Sequence, residues 1–114
     1  MRWIFVGLAL TLSALPAWAQ AARDENSAQS RDEIWAKCTD PMKADDVVIN
    51  TCTALIQSGQ ETTANLAHVY IQRGFAYDRK SLKDQAVADF HAALKLDPNN
   101  AYAIMALAID GATP

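Results

Sequence analysis

Two histidines, two cysteines and four glycines are all that 114 residues contain of the types that usually build reactive sites. His68 and His91 form no HxxxH pair and Cys38 and Cys52 no CxxC pair, so metal-ligand spacing is lacking. No glycine-rich loop opens a helix, which removes the usual cradle for a phosphate. Nucleophilic catalysis needs a convergent nucleophile, base and orienting group, and the acidic residues are spread over caps, turns and helix faces, where they read as solvated. The expectation is a non-enzyme with no cofactor and no metal. Clusters of positive charge are also scarce. Only Arg79, Lys80 and Lys83 gather, around one turn read as solvated. Nucleic acid and anionic membranes recruit clustered Lys and Arg, so neither is expected as the main partner. Nor does any segment alternate apolar and polar residues with flanking turns as a strand does. What remains is helical periodicity, and the expected fold class is all-α.

The N-terminus differs from the rest. Arg2 precedes WIFVGLALTLSAL, an apolar run short for a membrane span, then Pro16 and the small-x-small sequence Ala17-Trp18-Ala19. These are the parts of a secretory signal peptide, 1–19, cleaved before Gln20. No Cys follows the apolar run, so a lipid anchor is not expected, nor any membrane association after cleavage. Loss of Arg2 leaves 9 basic against 13 acidic residues, a formal charge of -4. The protein is expected to be exported, either periplasmic or secreted, from a Gram-negative bacterium. An even cysteine count in an oxidising compartment favours a disulfide, and a small exported domain gains from such a staple. Residues 20–29 are polar without apolar period and read as a disordered leader. The helical domain is placed at 30–110, with 111–114 as a tail.

Five helices are expected within that domain. Ser30 and Glu33 form a capping-box pattern before Ile34 and Trp35, so a first helix should run from about Arg31 to Cys38, with Trp35 in the core. Asp40-Pro41 stops it. Asp45 and Asp46 suit the N-terminus of a second helix, whose Val48, Cys52, Leu55 and Ile56 share a face before Ser58-Gly59 ends it. Thr62 or Thr63 can cap a third, striped by Leu66, Ala67, Tyr70, Ile71, Gly74 and Tyr77. Ser81 can cap a fourth with Leu82, Ala86, Phe90, Ala93 and Leu94, and Asn99 or Asn100 a fifth, from Ala101 to about Ile109.

The stretch from Ala67 to Pro98 resembles a tetratricopeptide repeat, a helix-turn-helix with the pattern W-x2-L-G-x2-Y, then A-x3-F, then P. Tyr70 stands in the Trp slot, with Gly74, Tyr77, Ala86, Phe90, the small Ala93 and Pro98 following at the family's spacing. Arg73 departs from the pattern's Leu. Independently, two helices joined by a short turn approach closely only where small side chains meet, and Gly74 with Ala86 is the natural pair. A mid-helix glycine costs about 1 kcal/mol relative to Ala, so a packing reason for Gly74 is expected. The resemblance implies a right-handed helix-turn-helix solenoid of about two hairpins plus a C-terminal capping helix.

Subtracting 34 from Ala86 and Phe90 gives Cys52 and Ile56, so the first two helices read as a degenerate repeat. If their turn holds two extra residues, Cys38 takes the place of Gly74 and Cys52 that of Ala86, close enough for a structural bridge. A labile bond serving as a redox switch is the alternative role for this pair. Adding 34 to Tyr70 gives Ile104, so the fifth helix is half a repeat without its mate. It is apolar almost all round, and either another chain covers it or it lines a groove. The family binds extended peptides or partner helices along the first helices of its repeats. That implies a groove of His68, Ile71, Gln72 and Phe75, continued by Tyr102, Met105 and Ile109 at 34-residue spacing from His68, Ile71 and Phe75. The expected function is a periplasmic adaptor or scaffold that binds a protein or peptide through an apolar anchor. The alternative is a structural subunit that homo-oligomerises through the last helix. If export and pairing hold, intact mass of the unreduced protein will be lower by two hydrogens, with no thiol open to alkylation. Two free thiols in exported protein would exclude the bridge.

Overall fold

The computed structural model describes residues 16–114, and of 20–29 the backbone alone. Most of 1–19, expected to be a signal peptide, thus lies outside the described residues. Five helices follow in order: α1 (Ala17–Thr39), α2 (Asp45–Ser58), α3 (Thr63–Arg79), α4 (Lys83–Leu96) and α5 (Ala101–Ile109). No strand occurs among the described residues. Each helix packs on the one before it, and α1 also touches α3.

The start of α1 differs from expectation. It begins at Ala17, not Arg31, and the backbone of 20–29, read above as a disordered leader, is helical. Ser30 lies inside the helix, so its capping pattern is unused. The physical reason is that neither Gly nor Pro interrupts 17–39, while Ala, Gln, Glu and Arg favour helix. The other starts follow their caps: Thr62 Oγ1 accepts from the Asn65 N–H at 3.2 Å, and Asn100 Oδ1 from the Ala103 N–H at 3.1 Å.

Ser81 is not the cap of α4. It has φ 61° and belongs to the end of α3, where the Leu82 N–H donates to Tyr77 O and the Ser81 N–H to Asp78 O, each at 2.9 Å. This is a Schellman closure with serine in the left-handed position. α5 ends the same way, with Gly111 at φ 72° and the Ala112 N–H donating to Leu107 O at 2.8 Å.

Two apolar clusters share α3. Cys38, Val48, Cys52 and Leu55 pack with Val69 and Ala76 on one side. Ile71 joins Ala86, Phe90, Ala93, Ala103, Ala106 and Leu107 on the other. The stripe expected for α3 omitted Val69 and Ala76, both wholly buried, because it assumed one buried face where the helix has two. Trp35, expected in the core, is half-buried and packs at the edge of the first cluster.

Cys38 and Cys52 are bonded, with Cα atoms 4.9 Å apart. The connection between α1 and α2 is two residues longer than that between α3 and α4. The register, however, needs correction. Helices α2 and α4 each have 14 residues, and in both the fourth, eighth and eleventh are buried: Val48, Cys52 and Leu55 against Ala86, Phe90 and Ala93. Their spacing is therefore 38, and Cys52 corresponds to Phe90, not to Ala86. The cause is an extra N-terminal turn on α3, which displaces α2 by four residues.

Gly74 has its packing reason in the Phe90 ring. A Cβ at Gly74 would stand 2.7 Å from Phe90 Cε1. The ring is wholly buried and meets Phe75 edge to face at a centroid distance of 5.2 Å, so it has nowhere to retreat. Gly74→Ala therefore costs about 1–2 kcal/mol by overpacking, despite its gain in helix propensity. Ser81→Gly, by contrast, stabilises by about 1 kcal/mol by relieving the left-handed strain. Urea unfolding of both variants checks the opposite signs.

Candidate binding groove

His68, Ile71, Gln72 and Phe75 recur at intervals of three and four residues, which puts them on one face of α3. With Tyr102 of α5 they line a cavity of about 250 Å³. Five of the seven expected groove residues thus come together. Ile71 is its floor, only 3% exposed because it also belongs to the core. Phe75 forms a half-buried wall braced by Phe90. At the rim, Gln72 Nε2 lies 3.5 Å from His68 Nε2, an arrangement in which the amide donates and the imidazole accepts.

Met105 and Ile109 do not line this cavity. They are 55% and 77% exposed and extend an apolar flank beyond Tyr102, because α5 turns only Ala103, Ala106 and Leu107 inward. On the other side, the Trp35 ring lies 6.0 Å from that of His68, so α1 joins the groove at its edge. His68 also borders a second, wider cavity lined by Thr63, Ala64, Ala67, Leu96, Asp97 and Asn100. A more polar hollow between α1 and α3 contains Arg31, Asp32, Trp35, Glu61 and Asn65. Sequence periodicity found the α3 face; Trp35 was missed because its aromatic bulk suggested interior packing.

None of the seven groove residues is Lys, Arg, Asp or Glu. The arrangement can seat an apolar or aromatic side chain and hydrogen-bond at its rim, but it offers no ionic clamp. Among the described residues, no group of three or more His, Cys, Asp or Glu side chains is placed to hold a metal ion. None of the described helices is long and apolar enough to cross a membrane.

Some charged side chains instead pair between helices. Arg73 Nε donates to Asp89 Oδ2 at 2.7 Å and Nη2 to Oδ1 at 2.6 Å, while Nη1 reaches Thr53 Oγ1 at 3.1 Å. Its guanidinium carbon lies 5.6 Å from the ring centroids of both Tyr70 and Tyr77. One side chain thereby links α2, α3 and α4. Hydrogen bonding to Asp89 raises the Arg73 pKa further above its usual value, with burial opposing the shift.

One reading of the sequence is corrected by these pairs. Asp89 is 4% exposed, so the acidic residues are not uniformly solvated. The basic turn is exposed as expected, and its side chains also pair: Arg79 bonds Asp45 at 2.6 Å, Lys80 pairs with Asp46, and Lys83 bonds Asp110 at 3.0 Å. The Lys83 pKa is raised by its hydrogen bond to Asp110. The available signal was the presence of Arg73 and Asp89 on faces otherwise apolar, which calls for a partner in the facing helix.

No protein-family model matches the chain, and no solved structure matches it either.

Asp89→Ala leaves a partly buried guanidinium without its carboxylate and costs about 3 kcal/mol. Arg73→Leu combined with Asp89→Ala costs less than Asp89→Ala alone, because an apolar side chain carries no desolvation debt. A double-mutant cycle in urea measures the difference; additive losses would remove the coupling.

Proposed function

We propose that this protein is a non-catalytic interaction module of the tetratricopeptide kind, exported to the periplasm, where it acts as an adaptor or scaffold. The cavity between α3 and α5 carries the proposal. Its aromatic and aliphatic lining, of about 250 Å³, suits a single apolar side chain of a bound peptide or helix. Gln72 and His68 at the rim suit the backbone on either side of that anchor. The matching burial of α2 and α4 supports a repeated hairpin, and the close approach of Phe90 to Gly74 supports the reading of Gly74 as a pattern residue. The Cys38–Cys52 bond supports export, since disulfides persist in oxidising compartments.

The test is a panel of extended peptides, each with one Leu, Ile, Phe or Trp anchor, titrated into labelled protein and followed by NMR. Amides of His68, Gln72, Phe75 and Tyr102 shift on binding. Tyr102→Ala and Gln72→Ala weaken the bound peptides about tenfold or more, with the unfolding transition unchanged. Peptides that bind equally well to both variants, or that shift only residues elsewhere, would overturn the proposal.

A further inference from the structure

The cavity between α3 and α5 is continued toward α1. His68, on its rim, lies 6.0 Å from the Trp35 ring, and Trp35 also lines the hollow between α1 and α3. That hollow, of about 320 Å³, differs in character from the cavity. Trp35 gives it an aromatic wall, and Asp32 and Glu61 set two carboxylates against the one guanidinium of Arg31. Asp97 adds a third carboxylate in the wide cavity that His68 also borders.

Glu61 is the informative residue. Its side chain is 8% exposed, so its charge is largely withdrawn from water. Its contacts are long: Arg31 Nη2 stands 3.6 Å from Oε1, and Asn65 Nδ2 donates to Oε2 at 3.3 Å. A buried carboxylate gains most from a cationic donor at about 2.8 Å, and neither neighbour comes so near. The Arg31 side chain is 51% exposed, so it can swing into solvent and leave its place to another cation.

We propose that the hollow takes a basic side chain, arginine above all, from the same peptide whose apolar anchor fills the cavity. This rests on the reading of the cavity as a peptide groove. A guanidinium can stack on Trp35 while it hydrogen-bonds Glu61, whereas lysine brings a point charge without the planar face. The excess of carboxylates here and the formal charge of -3 on the chain draw a basic peptide and repel an acidic one. The helix fixes the spacing. From Asn65 in the hollow to Ile71 and Gln72 in the cavity, α3 rises about 10 Å. The two sites lie on opposite flanks of α3, which adds a sideways step of about one interhelical distance, roughly 10 Å. They are therefore roughly 14 Å apart, or about four residues of extended chain.

Fluorescence anisotropy of labelled peptides with the disulfide-bonded protein tests the proposal. One peptide carries a single Phe anchor on an uncharged background, and two others add Arg four residues to either side of it. With Arg on one of these sides, binding is about tenfold tighter, and citrulline in its place cancels the gain. Glu61→Gln removes the advantage of Arg over citrulline, and Asp32→Asn, at an exposed position, narrows it. Arg31→Ala widens it, because a competing cation is gone. Circular dichroism of the three variants separates lost recognition from lost folding. An anchor peptide that binds with no gain from Arg on either side overturns the proposal and leaves the peptide groove standing. No binding by any of the three peptides overturns both. A gain that survives both Glu61→Gln and Asp32→Asn places the basic side chain elsewhere and overturns the proposal as well.

Discussion

The close approach of α3 and α4 at Gly74 is the constraint on which the rest of the molecule depends. A side chain there would occupy the space of the Phe90 ring. The glycine costs about 1 kcal/mol in helix propensity, while full burial of a phenylalanine contributes about 1.5–3 kcal/mol. Packing wins, and the helices draw together. One residue earlier on α3, Arg73 reaches both Asp89 on α4 and Thr53 on α2. The Phe90 ring in turn braces Phe75, and so sets one wall of the cavity.

The first hairpin solves the same problem covalently. Cys52 occupies in α2 the eighth position that Phe90 occupies in α4, and Cys38 meets it across a longer turn. Where the second hairpin gains stability from a ring seated on glycine, the first has a loop of 14 residues closed by sulfur, a contribution on the order of 3 kcal/mol. A small domain with two modest clusters benefits from this division of labour. Helix α3 serves both clusters, and the Arg79, Lys80 and Lys83 turn ties its C-terminal end to α2 on one side and to the end of α5 on the other.

The two open surfaces of α5 follow from its being buried along one side only. Its flank toward α3 closes the cavity with Tyr102, and its back exposes Ile104 and Met105. Neither surface bears charge. Arg73–Asp89 and Lys83–Asp110 pair between elements, and the residues of α5 itself are uncharged.

Local patterns were sufficient for the all-α class, the limits of α2 and α5 and the start of α3, because caps, breakers and helical period act within a few residues, while two cysteines leave a single pairing. The α3 face of the groove was legible for the same reason. The sequence by itself also showed that α5 is apolar almost all round. Only the tertiary structure decided that α3 has two buried faces, that Phe90 covers Gly74, that Cys52 stands in the register of Phe90, and that Ser81 closes α3. It alone paired Arg73 with Asp89 and turned a basic loop into three ion pairs. These depend on how helices are offset against one another. One extra turn at the start of α3 moves a neighbour by four residues, and no local signal in a single chain reports which offset packs.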